Sequence, residues 1–197
     1  MTKPTLEFWY EFGSTYTYLS VVRIEALAEA ESVPVVWNPF LLMPVLKHIG
    51  VGNPYTENAP KCAYMWTDLM RRAAALGIPI KRPSVYPPNS LVTARVALLG
   101  MDEGWGVAFT KEAFRQHWLN DVTIGADENT RAALAAAGRD PVEALARALT
   151  DCNKEALRRQ TENAAALGLF GAPSFVVDGE IFWGDDRLED ALKRAGA

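Results

Sequence analysis

A chain of 197 residues, 49% of them apolar, is enough for one large domain, or one domain with an insertion, built around a buried core. With 20 Lys and Arg against 24 Asp and Glu, the net charge is −4 and there is no basic stripe, which disfavours nucleic acid and anionic membrane as partners. No apolar stretch approaches the roughly 18 residues that span a bilayer, and MTKPTLEFWYEF lacks an apolar signal core, so the expected location is cytoplasmic.

The first element is a strand. Leu6, Phe8, Tyr10 and Phe12 alternate along TLEFWYEF, the period of a strand with one buried face. From Ser14 the period changes. Leu19, Val22, Ile24 and Leu27 recur at helical spacing to about Ala30, and Val33 to Phe40 then reads as a second strand. Strand, helix, strand is a βαβ unit, which calls for a right-handed crossover and a parallel pair. Ser14 and Thr17 fall at the first strand-to-helix junction. A hydroxyl there can cap the helix or hold the reactive atom of a ligand, and local sequence leaves both open.

The middle of the chain is different. Residues 60–76, 90–103, 107–120, 127–137, 141–149 and 153–167 are rich in Ala, Leu, Met, Arg and Glu, and Gly and Pro punctuate them. That composition predicts a helical block. Near the end, SFVVD (174–178) and EIFW (180–183) flank Asp178-Gly179, a strong hairpin signal. A last helix follows from Asp185 to Ala195, with an aspartate as its cap. Strands at both ends must complete one sheet. The expected fold is therefore α/β, with a sheet domain from residues 1–50 and 168–197 and an all-helical insertion at about 55–165, the whole chain forming one unit.

Few residues are candidates for metal or nucleophilic chemistry. Cys62 and Cys152 lie far apart and form no CxxC, and His48 and His117 have no partner at a zinc-ligand spacing. No metal site is expected, and neither is a Ser-His-Asp triad.

Four motifs in register carry a resemblance. They are Glu11-Phe12-Gly13-Ser14-Thr15-Tyr16-Thr17-Tyr18-Leu19, Gly52-Asn53-Pro54, Tyr86-Pro87-Pro88-Asn89-Ser90, and the pair Gly171-Ala172-Pro173-Ser174-Phe175 and Phe182-Trp183-Gly184-Asp185-Asp186-Arg187-Leu188. With these motifs the chain resembles the 2-hydroxychromene-2-carboxylate isomerases and their relatives, the kappa-class glutathione transferases. It departs from the family pattern at Glu11, where the family has aspartate, and at Thr15, where it has proline. The resemblance implies a thioredoxin-like fold (βαβ…ββα) with a DsbA-like helical insertion, and a cis-proline at Pro173 facing the Ser14 turn.

It also implies glutathione as cofactor, and hence that the reactive sulfur belongs to the ligand. Ser14 would be the catalytic residue, donating to that sulfur at the positive end of a helix, where a thiolate is favoured. Asn53, Ala172, Pro173, Trp183, Gly184, Asp185, Asp186 and Arg187 would join Ser14 in holding the tripeptide. Lys47 or Lys61, with Asn53, Pro54 and Tyr86, would meet an aromatic keto-acid substrate. The implied activity is cis-trans isomerisation of 2-hydroxychromene-2-carboxylate or a similar compound in aromatic degradation, by a homodimer. A kappa-type transferase and a non-catalytic binding module on a DsbA-like scaffold are the alternatives.

Overall fold

A computed structural model describes residues 4–53 and 58–197 of the chain. Strand β1 (Leu6–Tyr10) leads into two short helices, α1 (Thr17–Val21) and α2 (Ile24–Glu31), and then strand β2 (Val35–Pro39). The helical run expected after Ser14 is thus two helices that meet at Val22 and Arg23. Arg23 ties the joint: its Nε donates to Leu19 O at 2.9 Å, and its terminal nitrogens reach the Glu189 carboxylate and the Asp185 carbonyl.

The strands β3 (Ser174–Val177) and β4 (Glu180–Trp183) close a four-stranded sheet of order β2-β1-β3-β4. β1 and β2 are parallel, as a βαβ unit requires, and β3 and β4 are antiparallel additions. Asp178 (φ 49°) and Gly179 (φ 82°) form the two-residue hairpin turn. Positive φ at both positions matches the twist of the flanking strands and explains the Asp-Gly pair.

Among the described residues seven helices lie between β2 and β3: α3 (Leu42–His48), α4 (Ala59–Ala75), α5 (Leu91–Glu103), α6 (Gly106–Asn120), α7 (Asp127–Ala136), α8 (Pro141–Ala148) and α9 (Asp151–Ala166). Of the helices the sequence expects, α4, α8 and α9 carry side-chain caps, whereas α5, α6 and α7 have none. The Asn58 side chain accepts the Lys61 N–H at 3.0 Å, and the Asp140 side chain accepts that of Glu143 at 2.8 Å. Helix α3 lies outside the helical stretches expected from the sequence. Pro44 is its third residue, within the first turn, where a backbone N–H has no intrahelical partner to lose. After β4 come a 3-10 turn (Asp185–Arg187) and helix α10 (Leu188–Gly196). Among the described residues no helix is long and apolar enough to cross a membrane.

The alternation of β1 sorts its side chains between two cores. Phe8 and Tyr10, with Phe175, face the larger one, together with Phe12, Phe114 and Trp118. Trp9 and Val176 face the smaller one, with Phe40, Val45, Ala164 and Leu169. Rings stack across elements, Phe8 on Phe175 at 5.4 Å and Phe12 on Phe114 at 5.0 Å. Each buried side chain of this size contributes roughly 1.5–3 kcal/mol of transfer free energy. The aromatic core anchors the end of β1, and with it the turn that follows.

Candidate functional site

Leaving β1, the backbone turns sharply at Glu11-Phe12-Gly13-Ser14, closed by a hydrogen bond from Ser14 N–H to Glu11 O at 3.2 Å. The Glu11 side chain folds back over this turn. A Cβ on Gly13 would meet Glu11 Oε2 at 2.8 Å, so the carboxyl would have to shift for any larger residue. The Glu11 carboxyl accepts the Ser90 hydroxyl and the Gly13 N–H. Burial pushes it up to about 7, against the pull of those two donors.

Ser14 is 3% exposed, and its Oγ donates to Ala172 O at 2.7 Å. The cap reading is corrected here. Helix α1 begins at Thr17 after Tyr16, and no side chain caps it. The hydroxyl is spent across the sheet instead, on the carbonyl just before Pro173. The Ala172–Pro173 peptide bond is cis, as expected, and Tyr86–Pro87 is a second cis bond that the sequence reading did not anticipate. Thr17 is a fully buried first residue of α1.

A cavity of about 500 Å³ opens above this pair. Its lining includes Tyr16, Asp68 and Arg72 on one side and Ala172, Pro173, Trp183, Gly184, Asp185, Asp186 and Arg187 on the other. The geometry of β4 explains the second wall. Gly184 N–H donates to Pro173 O at 3.0 Å, which ties the end of β4 to the proline. Gly184 has φ 110°, and a Cβ there would lie 2.5 Å from Asp186 Oδ1. Trp183 leans back over Gly171, where a Cβ would meet its Nε1 at 2.1 Å, and packs edge-on against Phe170 at 5.0 Å.

The charges on the walls are paired. Asp185 is buried, and Arg72 grips it through two nitrogens, at 2.7 and 3.1 Å, with Arg23 at 3.6 Å behind. Burial raises the Asp185 pKa, and the two guanidiniums pull against it. Asp185 therefore does not cap the last helix; α10 starts after Arg187 with no side-chain cap. Arg187 is half exposed and pairs with Asp190 at 3.1 Å and Asp186 at 3.4 Å. Tyr16 Oη donates to Asp68 Oδ2 at 2.8 Å, and burial together with that bond raises the phenol's pKa, so it stays a neutral donor.

The expected residues are distributed unevenly. Ala172, Pro173, Trp183, Gly184, Asp185, Asp186 and Arg187 come together around one cavity, and Ser14 is bonded to its floor. Lys47 and Lys61 are exposed on α3 and α4, and neither lines the cavity; Arg72 is the cation that α4 brings to it. Tyr86 turns inward: its hydroxyl donates to Gly13 O, and its ring packs edge-on against Trp66 at 4.9 Å. Asn53 sits half-buried in the segment after α3, and Pro54 lies outside the described residues. His117 is buried, its pKa held down to about 4 by that burial, so it is neutral and far from any general-base role at neutral pH. Tyr16, Asp68 and Arg72 were missed. A signal for two of them was present, since Tyr64, Asp68 and Arg72 recur every fourth residue along one face of α4.

Comparison with known proteins agrees with this geometry. Residues 5–195 match the model of the DSBA-like thioredoxin domain family. A 2-hydroxychromene-2-carboxylate isomerase from Sphingobium xenophagum is 30% identical over 196 residues, spanning 96% of this chain and 96% of its own length. A glutathione S-transferase kappa 2 from Caenorhabditis elegans is 24% identical over 200 residues, spanning 94% and 89%. The solved structure of a 2-hydroxychromene-2-carboxylate isomerase superposes with a TM-score of 0.86 at 26% identity, over 96% of this chain and 95% of that one.

Proposed function

The chain belongs to the DSBA-like thioredoxin family, among the 2-hydroxychromene-2-carboxylate isomerases and kappa-class glutathione transferases, and on that premise we propose that it is a glutathione-dependent cis-trans isomerase. Its substrate would be 2-hydroxychromene-2-carboxylate or a similar aromatic keto acid. The observation that carries the reading is the bond from Ser14 Oγ to Ala172 O, beside the cis Ala172–Pro173 bond, at the floor of a cavity walled by both signs of charge.

The residues present fit glutathione. A tripeptide with two carboxylates and one ammonium needs both cations and anions around it, and Arg72 and Arg187 line the cavity of about 500 Å³ together with Asp68 and Asp186. That volume is ordinary for a small-ligand site. When bound, glutathione supplies a thiol whose reversible addition allows a carbon–carbon double bond to rotate.

The chain's own contribution is positioning and hydrogen bonding. Ser14 has one proton to donate, and Ala172 O holds it at 2.7 Å. Ala172 presents that carbonyl at the edge where an extended peptide would pair with it. With the tripeptide bound, Ala172 O would accept one of its N–H groups, and Ser14 would turn its proton toward the sulfur. Arg187 and Asp186 orient the peptide's charged end. Trp183 covers the edge and limits water. The reading carries with it a small aromatic acid as partner, a homodimer as the working unit, and the cytoplasm as its setting.

The test is isomerisation of 2-hydroxychromene-2-carboxylate with and without glutathione, in the parent protein and in Ser14→Ala. Turnover should require glutathione and fall about a hundredfold in the variant, the cost of removing one donor to a developing anion. Equal turnover without glutathione, or an unchanged rate in Ser14→Ala at saturation, overturns the reading. The match to the Caenorhabditis elegans kappa protein favours transfer as the second reading. Conjugation of 1-chloro-2,4-dinitrobenzene faster than isomerisation would select it.

A further inference from the structure

The turn that presents Ser14 is gripped from outside the sheet, and the grip is specific. The Gly13 N–H goes to the Glu11 carboxyl, and the Gly13 carbonyl accepts the Tyr86 hydroxyl. The same Glu11 carboxyl takes the Ser90 hydroxyl. Tyr86 and Ser90 lie at the two ends of one loop, 86–90, that precedes α5. Both peptide groups flanking Gly13 are thus fixed, because Ser14 N–H is already bound to Glu11 O at 3.2 Å.

The loop is itself braced from the helical block. Gly125 approaches so closely that a Cβ there would stand 2.0 Å from Asn89 O. Upstream, Ser84 N–H donates to Asp121 Oδ1 at 2.7 Å, and Lys81 N–H donates to Trp118 O at 2.8 Å. A rigid path therefore runs from the end of α6, through loop 86–90, to the turn.

We propose that Glu11, Tyr86 and Ser90 are positioning residues that clamp the Gly13–Ser14 backbone, and that they set the aim of the Ser14 hydroxyl without touching the ligand. The clamp rests on the reading of Ser14 as the hydroxyl that meets the thiol. An oxygen carried on a four-residue turn swings with the backbone, and a displacement of about 1 Å at a reacting group costs on the order of a hundredfold in rate. Tyr86→Phe removes one hydroxyl and keeps the ring against Trp66, which makes it the cleanest probe.

The experiment compares the parent chain with Tyr86→Phe, Ser90→Ala, Glu11→Gln and Glu11→Asp by hydrogen–deuterium exchange at the Gly13 and Ser14 amides and by glutathione-dependent kinetics. Exchange at those amides should quicken at least tenfold in Tyr86→Phe, with the amides of β1 and α5 unchanged. In the same variant kcat should fall about tenfold while KM for glutathione stays within twofold. Glu11→Asp, which keeps the carboxylate, should recover more of kcat than Glu11→Gln. Gly125→Ala, remote from the cavity, should reproduce the Tyr86→Phe pattern if the path is rigid. Unaltered exchange at Gly13 and Ser14 in both Tyr86→Phe and Ser90→Ala overturns the clamp, whatever the activities. Faster exchange in a protein whose parent form shows no glutathione-dependent turnover supports the clamp and sinks the proposed reaction instead.

Discussion

Ser14 and Glu11 stand three positions apart, and their hydroxyl and carboxyl face opposite tasks. Ser14 points across the sheet to Ala172 O, at 2.7 Å. Glu11 points back over its own turn, where burial pushes its carboxyl up to about 7 from an ordinary 4.5. The sign of its effect on stability follows. Between pH 4.5 and 7 the folded chain holds a proton on Glu11 that the unfolded chain releases, so stability falls as pH rises through that window and levels off above it. The full difference is roughly 3 kcal/mol at 1.36 kcal/mol per unit. Glu11→Gln should lose this dependence: the stability difference between variant and parent, from urea unfolding at pH 4.5 and at pH 7.5, should shift by that amount in favour of the variant. Parallel curves would show that Glu11 does not titrate in this window. At this scale the sequence was a partial guide. Motif order pointed to Ser14 and to the residues around Pro173 and Trp183. It was silent on where a hydroxyl would aim, because a serine at a strand-to-helix junction has the same local sequence whether it caps or reaches across the sheet.

Among the elements, the strands and most helices were legible because each carries its own period and punctuation. Asp178-Gly179 marked the hairpin, and Asn58, Asp140 and Thr150 cap helices in the expected helical block. Helix α3 was not legible, since the tolerance of Pro44 depends on its place within the first turn. Lys47 and Lys61 do not line the cavity, since each stands at an exposed position of its helix. Helix α4 instead turns Asp68 and Arg72 toward the cavity. Arg72 joins α4 to the 3-10 turn at Asp185, and the bond is bidentate with the carboxylate buried. Arg72→Met should destabilise the chain by about 2 kcal/mol, less than the 3–5 kcal/mol of a fully buried pair, because Arg23 remains 3.6 Å from Asp185. A double-mutant cycle with Asp185→Asn in chemical denaturation should return a coupling of about 1 kcal/mol. Strict additivity would mean that the two side chains do not support each other.

For the whole molecule, the larger core is shared between sheet and helical block. Phe12, just past β1, stacks on Phe114 of α6 at 5.0 Å, and Tyr10 Oη bonds Thr110 Oγ1 at 2.8 Å. We therefore expect the residues at about 55–165 to melt together with the sheet. Phe114→Ala should cost about 4 kcal/mol, and far-UV circular dichroism and tryptophan fluorescence should still report a single, coincident transition. Two separated transitions would make the helical block an independent unit. The strand order has a further consequence during synthesis. β1 pairs with β3, and Ser14 meets Ala172 from 158 positions away, so neither contact can form until nearly the whole of this chain has left the ribosome. One edge of β1 waits unpaired while the helical block is made, and long-range pairing of this kind is slow and exposed to aggregation. The Ser14 turn is the first part of the site to be translated and the last to find its partner, so a nascent chain cannot acquire the site before it has acquired the sheet.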